Sequence, residues 1–400
     1  MNRRDFQFRL AAIGAAAASL PVAECARAAG GNAPRFLQTA VDDAVRPVLQ
    51  KNAVPGMAVA VIVGGRQFFF NYGVTAPEGA QPVTADTIFE IGSLSKTFTA
   101  TLASYAREIG ALSFSDPASA HWSALAGSTF DRITLLELGT YSAGGLPLQF
   151  PDSVTDEAGM LAYFRDWRPA FEPGTQRVYS NPSMGLFAHL AAASLGAPFP
   201  ELMEKKLFPM LGLAGSYIQV PQARMRDYAW GCSKDNRPIR VTPGVFDAPA
   251  YGVKTSARDM IRFVQLNMDG GQLPEALRRA VRGTHTGYFQ VGDMTQGLGW
   301  EMYAYPTPLD RLLAGNSDQM ALRAHKETRL DPPRAPRADV LIDKTGSTNG
   351  FGAYAAFVPA RQTGVVLLAN RNYPNRDRVT AAYRILQALE SRPRGLAIAE

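Results

Sequence analysis

The sequence predicts an α+β fold in two parts: an antiparallel β-sheet flanked by helices and built from both chain ends, with a mostly helical domain inserted between them. Two observations favour this arrangement. Strand patterns lie near both ends of the chain, and each is accompanied by an amphipathic helical pattern. The middle of the chain has helical and irregular patterns instead. With 400 residues, 46% of them hydrophobic, the chain has enough apolar material for a large core.

Residues 35–109 are predicted to supply the N-terminal share of the sheet domain. The segment FLQTAVDDAVRPVLQKN predicts an amphipathic helix, and GMAVAVIVGGRQFFFNYGV predicts a hairpin that turns at Gly64 and Gly65. The break at Gly92, followed by a run of good helix formers, predicts that another helix begins near Ser93.

Residues 311–395 are predicted to complete the sheet domain. The runs DVLIDKT, GAYAAFVP and GVVLLAN predict three antiparallel strands, the first of which ends at Lys344. The segment RDRVTAAYRILQALESR predicts a closing helix. We therefore expect residues 110–310 to form the mostly helical inserted domain, with strands returning only near the C-terminus.

Residues 1–28 have the pattern of an export signal. A basic start and a short apolar stretch precede small residues that fit cleavage near Ala28. Arg3 and Arg4 resemble a twin-arginine signal, which predicts a periplasmic protein with no membrane association after cleavage. Cys25 leaves a lipoprotein as an alternative, although the glutamate before it fits a lipobox poorly.

Composition excludes several other functions. The 41 basic and 35 acidic residues give a net charge of +6, but no basic helix or aromatic–basic array predicts nucleic-acid binding. The four histidines are scattered singly, and no phosphate-binding or dinucleotide motif is present, so we expect no metal and no cofactor. After cleavage only Cys232 would remain, which excludes an internal disulfide.

The first cluster with chemical potential is Ser93-Leu94-Ser95-Lys96. A serine hydroxyl needs a neighbouring base, and a neutral lysine can serve. Residues three apart share a helix face, which pairs Ser93 with Lys96 and leaves Ser95 as a structural residue. The start of a helix also favours negative charge beside Ser93.

Two further clusters follow. Tyr179-Ser180-Asn181 lies on a loop before a predicted helix, where the tyrosine is a candidate general base and the asparagine a candidate amide ligand. Lys344-Thr345-Gly346 lies at a strand edge, where it can bind a substrate carboxylate and lay its backbone along the substrate. Each cluster alone is a weak signal.

Together, the three clusters and their order resemble the penicillin-recognising serine acyltransferases. The segments FEIGSLSKTFTA, TYSAGGLPLQFPD, AYGVKTSARDM and KTGSTNGFGAYAAFVP narrow the resemblance to class C serine β-lactamases, and it covers the chain after about residue 36. The resemblance implies hydrolysis of penicillins and cephalosporins through an acyl-enzyme, by a protein expected to be a monomer.

The resemblance also implies residue roles. Ser93 would be the acylated nucleophile, Lys96 its proton-relay partner and Tyr179 the activating residue, whose pKa the charge of Lys344 would lower. Backbone N–H groups of Ser93 and Ser347 would form the oxyanion hole. The other implied substrate-binding residues are Gln149 and Asn181 for the side-chain amide, Tyr251 for an aromatic wall, Thr345, Asn372 and Asn375 for the carboxylate, and Gly346 for close backbone approach.

Other activities remain open at this stage. The chain lacks the Glu-x-x-Leu-Asn motif of class A enzymes, so deacylation would use the same tyrosine and lysines. A D-alanyl-D-alanine carboxypeptidase or penicillin-binding protein shares the acylation residues. A lactamase-like esterase usually lacks Lys-Thr-Gly, and a penicillin sensor would not deacylate. Asp343, just before Lys344, departs from the pattern expected of many class C members.

Overall fold

The computed structural model describes residues 33–76 and 81–391. The predicted export signal at residues 1–28 and the last residues of the range 311–395 lie outside this part. Within it, no helix is long and apolar enough to cross a membrane.

The described part of the chain contains fourteen α-helices. Their bounds are α1 (Arg35–Lys51), α2 (Ser95–Glu108), α3 (Ala118–His121), α4 (Leu135–Gly139), α5 (Glu157–Asp166), α6 (Asn181–Ser194), α7 (Phe199–Leu202), α8 (Phe208–Leu211), α9 (Asp247–Tyr251), α10 (Ala257–Asp269), α11 (Glu275–Gly283), α12 (Leu309–Gly315), α13 (Asp318–Leu322) and α14 (Asn375–Glu390).

Fifteen strands lie in the same part. Their bounds are β1 (Gly56–Val63), β2 (Arg66–Gly73), β3 (Ile88–Glu90), β4 (Gln176–Arg177), β5 (Gly231–Cys232), β6 (Pro238–Ile239), β7 (Lys254–Ser256), β8 (Gly287–Val291), β9 (Met294–Gln296), β10 (Glu301–Ala304), β11 (His325–Lys326), β12 (Thr328–Arg334), β13 (Val340–Ser347), β14 (Gly352–Val358) and β15 (Thr363–Ala369).

Nine of these strands form one sheet in the order β12-β8-β9-β10-β13-β14-β15-β1-β2. All neighbours in it are antiparallel. The hairpin β1–β2 turns at Gly64 and Gly65, both with positive φ, as the sequence predicted. It sits beside β15, so both chain ends build the sheet, and the predicted fold class is confirmed.

Helices cover both faces of the sheet. Val59 and Val61 of β1 pack in a core with α1 and α14, while Ala60 and Ile62 pack with α2 and α10 on the other face. This alternation follows from the two-residue period of a strand. The opposite side of α2 packs in a third core with α4, α5 and α6. Helix α2 therefore lies between the sheet and the helical part.

Two details differ from the sequence predictions. Strands β8, β9 and β10 fall within residues 110–310, so the sheet extends into the range expected to be mostly helical. Lys344 does not end its strand, because β13 continues to Ser347 and pairs with β14 as far as Gly352. The turn follows at residues 348–351, where Thr348 N–H donates to Phe351 O.

Candidate active site

Ser93 lies in a single turn of 3₁₀ helix, Gly92–Leu94, that leads directly into α2. Lys96, one turn further, is fully buried, and its Nζ donates to Ser93 Oγ at 2.9 Å. The neighbouring Ser95 points elsewhere and accepts the backbone N–H of Val253 at 2.9 Å. The pairing of Ser93 with Lys96 and the structural position of Ser95 are therefore as the sequence predicted.

The ammonium group of Lys96 is held on three sides. Besides Ser93, it donates to Asn181 Oδ1 at 2.6 Å and to Ala250 O at 2.7 Å. Burial lowers the pKa of Lys96 to about 8. A lysine with this pKa has an appreciable neutral fraction near neutral pH, so it can accept a proton from the serine as well as hold it in place.

Tyr179 lies just before α6, between two lysines. Its ring centroid is 5.0 Å from Lys96 Nζ and 5.1 Å from Lys344 Nζ. Burial alone would raise the pKa of Tyr179, but the charges of Lys344 and Lys96 outweigh burial and lower it to about 8. The resemblance to class C β-lactamases implied this lowering of the tyrosine pKa by Lys344. A tyrosine with this pKa is a competent proton acceptor.

Lys344 is itself held by a buried carboxylate. Its Nζ lies 3.6 Å from Glu301 Oε1, and that oxygen also accepts Arg177 Nη2 at 2.9 Å. Burial opposes the charge of Lys344, but Glu301 and Tyr179 outweigh it and raise its pKa. Arg177 stacks with its Cζ 5.4 Å from the Tyr179 ring centroid. The site therefore concentrates positive charge around the tyrosine.

Strand β13 runs against the 3₁₀ turn at a distance that only glycines allow. A Cβ on Gly346 would lie 1.9 Å from Ile91 O and 3.0 Å from Ser93 N. A Cβ on Gly92 would lie 2.3 Å from Ser347 N. The backbones of Ser93 and Ser347 thus approach each other closely, which two oxyanion-hole donors on these residues would require.

The predicted substrate-binding residues lie along one groove around Ser93. One cavity of about 400 Å³ and another of about 250 Å³ share the serine, and a third of about 810 Å³ adjoins them. Of the predicted substrate-binding residues, the first cavity is lined by Gln149, Asn181, Tyr251, Ser347 and Asn372. Of the predicted site residues, the second cavity is lined by Gln149, Tyr179, Asn181, Lys344, Thr345, Gly346, Ser347 and Asn375. Lys96 lies beneath this groove.

Three buried polar residues at the site were missed by the sequence reasoning. They are Arg177, Glu301 and Arg378. Arg378 Nη1 donates to Gly346 O at 2.7 Å and to Ser347 Oγ at 3.1 Å, which fixes the end of β13. The position of Arg177 two residues before Tyr179 was an available signal, because both face the same side of an extended segment. Glu301 and Arg378 gave no local signal.

Asp343 extends this buried network behind Lys344. Its Oδ2 accepts Tyr354 Oη at 2.6 Å and Asn316 Nδ2 at 2.8 Å. Burial and the neighbouring Glu301 raise the pKa of Asp343 to about 7. The hydrogen bond to Asn316 ties the end of α12, which lines the groove, to the strand that carries Lys344.

A serine held by a buried lysine and lying beside a buried tyrosine, in a groove between a sheet and a helical part, defines a serine acyl-transfer site that uses no histidine. Among the described residues, no histidine, cysteine, aspartate and glutamate cluster is arranged to hold a metal. A family model described as Beta-lactamase matches residues 41–390. The chain belongs to the β-lactamase family.

Known relatives agree over nearly the whole chain. A β-lactamase from Pseudomonas fluorescens is 54% identical over 354 residues, which cover 88% of this chain and 99% of the relative. A β-lactamase/D-alanine carboxypeptidase structure from Pseudomonas syringae is 46% identical with a TM-score of 0.87, covering 89% of this chain and 99% of that one.

A solved class C β-lactamase in complex with cefoxitin is also similar. It is 47% identical with a TM-score of 0.86, and the match covers 88% of this chain and 98% of that one. The resemblance to class C β-lactamases that the sequence motifs predicted is confirmed by these relatives.

Proposed function

We propose that this protein hydrolyses β-lactam antibiotics, both penicillins and cephalosporins, through an acyl-enzyme on Ser93. The observation that carries the proposal is the hydrogen bond of 2.9 Å from Lys96 Nζ to Ser93 Oγ, beside a tyrosine whose pKa is lowered to about 8. The β-lactam named for the similar class C structure, cefoxitin, belongs to the same substrate class.

Acylation begins when Ser93 Oγ attacks the lactam carbonyl carbon. Its proton passes to the Lys96–Tyr179 pair, and the negative charge on the carbonyl oxygen is stabilised by the N–H groups of Ser93 and Ser347. The C–N bond of the ring then breaks, and the leaving nitrogen takes a proton from the Tyr179 side. Lys344 stabilises the tyrosinate during this exchange.

Deacylation uses the same groups. A water molecule on the Tyr179 side of the ester loses its proton to the tyrosine and attacks the carbonyl carbon. The second tetrahedral intermediate collapses, Ser93 regains its proton, and the ring-opened acid leaves. Asn181 and Gln149 would hold the amide of the substrate's acyl side chain, while Thr345, Asn372 and Asn375 would face its carboxylate.

The first test is hydrolysis of a chromogenic cephalosporin by purified protein, compared with a simple nitrophenyl ester. We expect the cephalosporin to be hydrolysed with kcat/KM at least about 10³-fold above that of the ester, since only the lactam engages both halves of the groove. A chelator should leave the rate unchanged. Rapid ester hydrolysis without cephalosporin hydrolysis would support the lactamase-like esterase instead.

A second candidate function is D-alanyl-D-alanine carboxypeptidase activity. It is favoured by the description of the similar Pseudomonas syringae protein as both a β-lactamase and a D-alanine carboxypeptidase. The same nucleophile and oxyanion site would cleave the peptide bond. Release of D-alanine from an acyl-D-Ala-D-Ala peptide, measured beside cephalosporin hydrolysis, separates the two activities, and we expect the lactam to be the faster substrate.

The activity should depend on pH through the Tyr179–Lys96 pair. The positive charge of Lys344 favours the tyrosinate and thereby lowers the pKa of Tyr179, so removing that charge raises it. The acidic limb of the kcat/KM profile, which reports the pair in the free enzyme, should therefore move to higher pH in Lys344→Met.

The measurement for this prediction is kcat/KM from pH 5 to 10 with a neutral-side-chain penicillin. The control is Lys205→Met, which removes an exposed lysine that forms an ion pair with Glu201, four residues earlier. That variant should keep the wild-type profile. An acidic limb that stays in place or moves to lower pH in Lys344→Met would contradict the role given to Lys344.

The remaining proposals concern location and organisation. Residues 1–28 would be removed on export to the periplasm, with the twin arginines favouring the folded-protein route. We further propose that the mature protein works as a monomer without nucleic-acid or membrane partners. Its sheet domain would comprise residues 35–109 and 311–395 together with strands β8 to β10, and its second domain the rest of residues 110–310.

A further inference from the structure

Arg240 lies on the wall of the cavity that extends from Ser93 past Gln149 and Asn181. The cavity measures about 400 Å³ and is lined otherwise by uncharged side chains and glycine. Among the described residues that line it, Arg240 is the only charged one. Of the residues proposed to face the lactam carboxylate, Thr345 and Asn375 line the neighbouring cavity and Asn372 lines this one. Gln149 and Asn181, which would hold the amide of the acyl side chain, line this cavity, so the acyl side chain can extend into it.

The guanidinium of Arg240 is held in a fixed orientation. Its Cζ lies 3.9 Å from the ring centroid of Tyr228 and 4.1 Å from that of Trp230. Nε donates to Ala229 O at 3.1 Å, and Nη2 donates to Tyr228 O. No residue in the described part of the chain accepts a hydrogen bond from Nη1. Stacking and two bonds to carbonyl groups thus hold a rigid cation whose Nη1 is left without a partner in the described part of the chain.

The backbone that carries Arg240 is also fixed. Residue Ile239, immediately before it, pairs with Gly231 across the β5–β6 ribbon. On the other side, Val241 N–H donates to Glu90 Oε1 at 2.7 Å. The side chain therefore cannot leave the cavity wall without breaking contacts on both sides.

Two carboxylates lie near this wall, and in the described part of the chain neither forms an ion pair with Arg240, although the charge of Glu90 acts on it. Glu90 is 1% exposed and also accepts Tyr228 Oη and Thr348 Oγ1, both at 2.6 Å, so its charge is shared among donors. Burial and, second to it, the charge of Asp247 raise the pKa of Tyr251, but Asp247 does not line the cavity. Arg240 itself is only half-buried and contributes to the lining of the cavity.

We propose that Arg240 is a specificity residue that selects β-lactams whose acyl side chain carries a negative charge, such as a carboxylate, over those whose side chain carries an ammonium group. The inference rests on the proposed β-lactam hydrolysis and adds a charge preference to the acyl-side-chain half of the groove. The uncharged remainder of the wall would accept neutral side chains with no comparable bias.

A matched series of three penicillins tests this proposal: benzylpenicillin, its α-carboxy derivative and its α-amino derivative. The quantity is the ratio of kcat/KM for the carboxy compound to that for the amino compound. Arg240→Gln should lower this ratio about tenfold, because the α-substituent changes from −1 to +1 between the two substrates and the variant lacks the cation that distinguishes them. A uniform loss of activity from a loosened loop cancels in the ratio.

Two variants separate charge from packing. Arg240→Lys keeps the charge and should keep the ratio within about threefold of the wild-type value. Arg237 lies three residues before Arg240, and its side chain is 80% exposed and pairs with Asp235. Arg237→Gln therefore removes an equal charge from the surface and should leave the ratio unchanged. Raising the salt concentration from 0.05 to 0.5 M, chosen to span about a threefold change in screening length, should reduce the wild-type ratio and not that of Arg240→Gln.

The outcomes are distinct. An unchanged ratio in Arg240→Gln, with benzylpenicillin still hydrolysed, overturns the role of Arg240 and leaves the proposed function intact. An equal fall in Arg237→Gln overturns it too, because the preference would then come from the general surface charge. Failure of the wild-type protein to hydrolyse any of the three penicillins overturns the proposed function and this inference together.

Discussion

Replacing Ser93 by alanine is expected to abolish β-lactam hydrolysis, with kcat/KM falling by about 10⁴-fold or more. The variant lacks the only atom that can form the acyl-enzyme, whereas Lys96, Tyr179 and the groove stay in place. Because the hydroxyl accepts one hydrogen bond from Lys96 and the residue is small, the melting temperature should change by only a few degrees. The measurement is steady-state hydrolysis of a chromogenic cephalosporin together with thermal unfolding.

Ser95→Ala is the matched control for this variant. Ser95 lies two residues away and accepts the buried N–H of Val253, so its loss should cost about 1 kcal/mol of unfolding free energy. Its hydroxyl has no part in the proposed chemistry, and most of the activity should remain. Undiminished turnover in Ser93→Ala would remove this serine as the nucleophile. Abolished turnover in folded Ser95→Ala would question the choice between the two serines.

The second large effect is expected from Gly346→Ala, which adds one methyl group. That methyl would stand 1.9 Å from Ile91 O, so β13 and the turn that carries Ser93 must move apart. The two proposed oxyanion donors lie on these two segments, and separating them removes stabilisation that exists only in the transition state. We expect kcat to fall about 10² to 10³-fold with the protein still folded.

Gly127→Ala controls for the general effect of replacing a glycine. Gly127 has φ +78° and nothing within 4 Å of an added Cβ. The variant should lose about 1 kcal/mol of stability through its left-handed backbone and keep its activity. Full activity in Gly346→Ala would contradict the proposed oxyanion geometry. An equal activity loss in both variants would point to destabilisation rather than to the site.

Local patterns were sufficient for much of the fold. The eight-residue apolar run of β1, the partial alternation of β2, the two glycines at their turn and the amphipathic pattern of α1 are each local signals, so they can be found in the sequence. Strands β8 to β10 were missed. They are short, their side chains are buried on both faces, and their period is therefore hidden, while their place in the sheet depends on pairing with β13.

The candidate site was predictable where side chains share one helical turn or one strand. Ser93 and Lys96 belong to the first kind, and Lys344 with Gly346 to the second. Glu301 could not be found this way, because its position beside Lys344 follows from the register that pairs it with Asp343. The pKa of Tyr179 depends in turn on this strand pairing, because Glu301 holds Lys344 and the charge of Lys344 lowers the pKa of the tyrosine.

The central claim is that a β-lactam acylates Ser93 and that the ester is then hydrolysed. Intact-mass spectrometry after rapid mixing with a slowly hydrolysed penicillin tests both halves, with peptide mapping to locate the label. We predict a transient adduct of one penicillin mass on the peptide that contains Ser93, decaying at a rate equal to kcat. A label on another residue, or an adduct on Ser93 that does not decay over hours, would contradict the account.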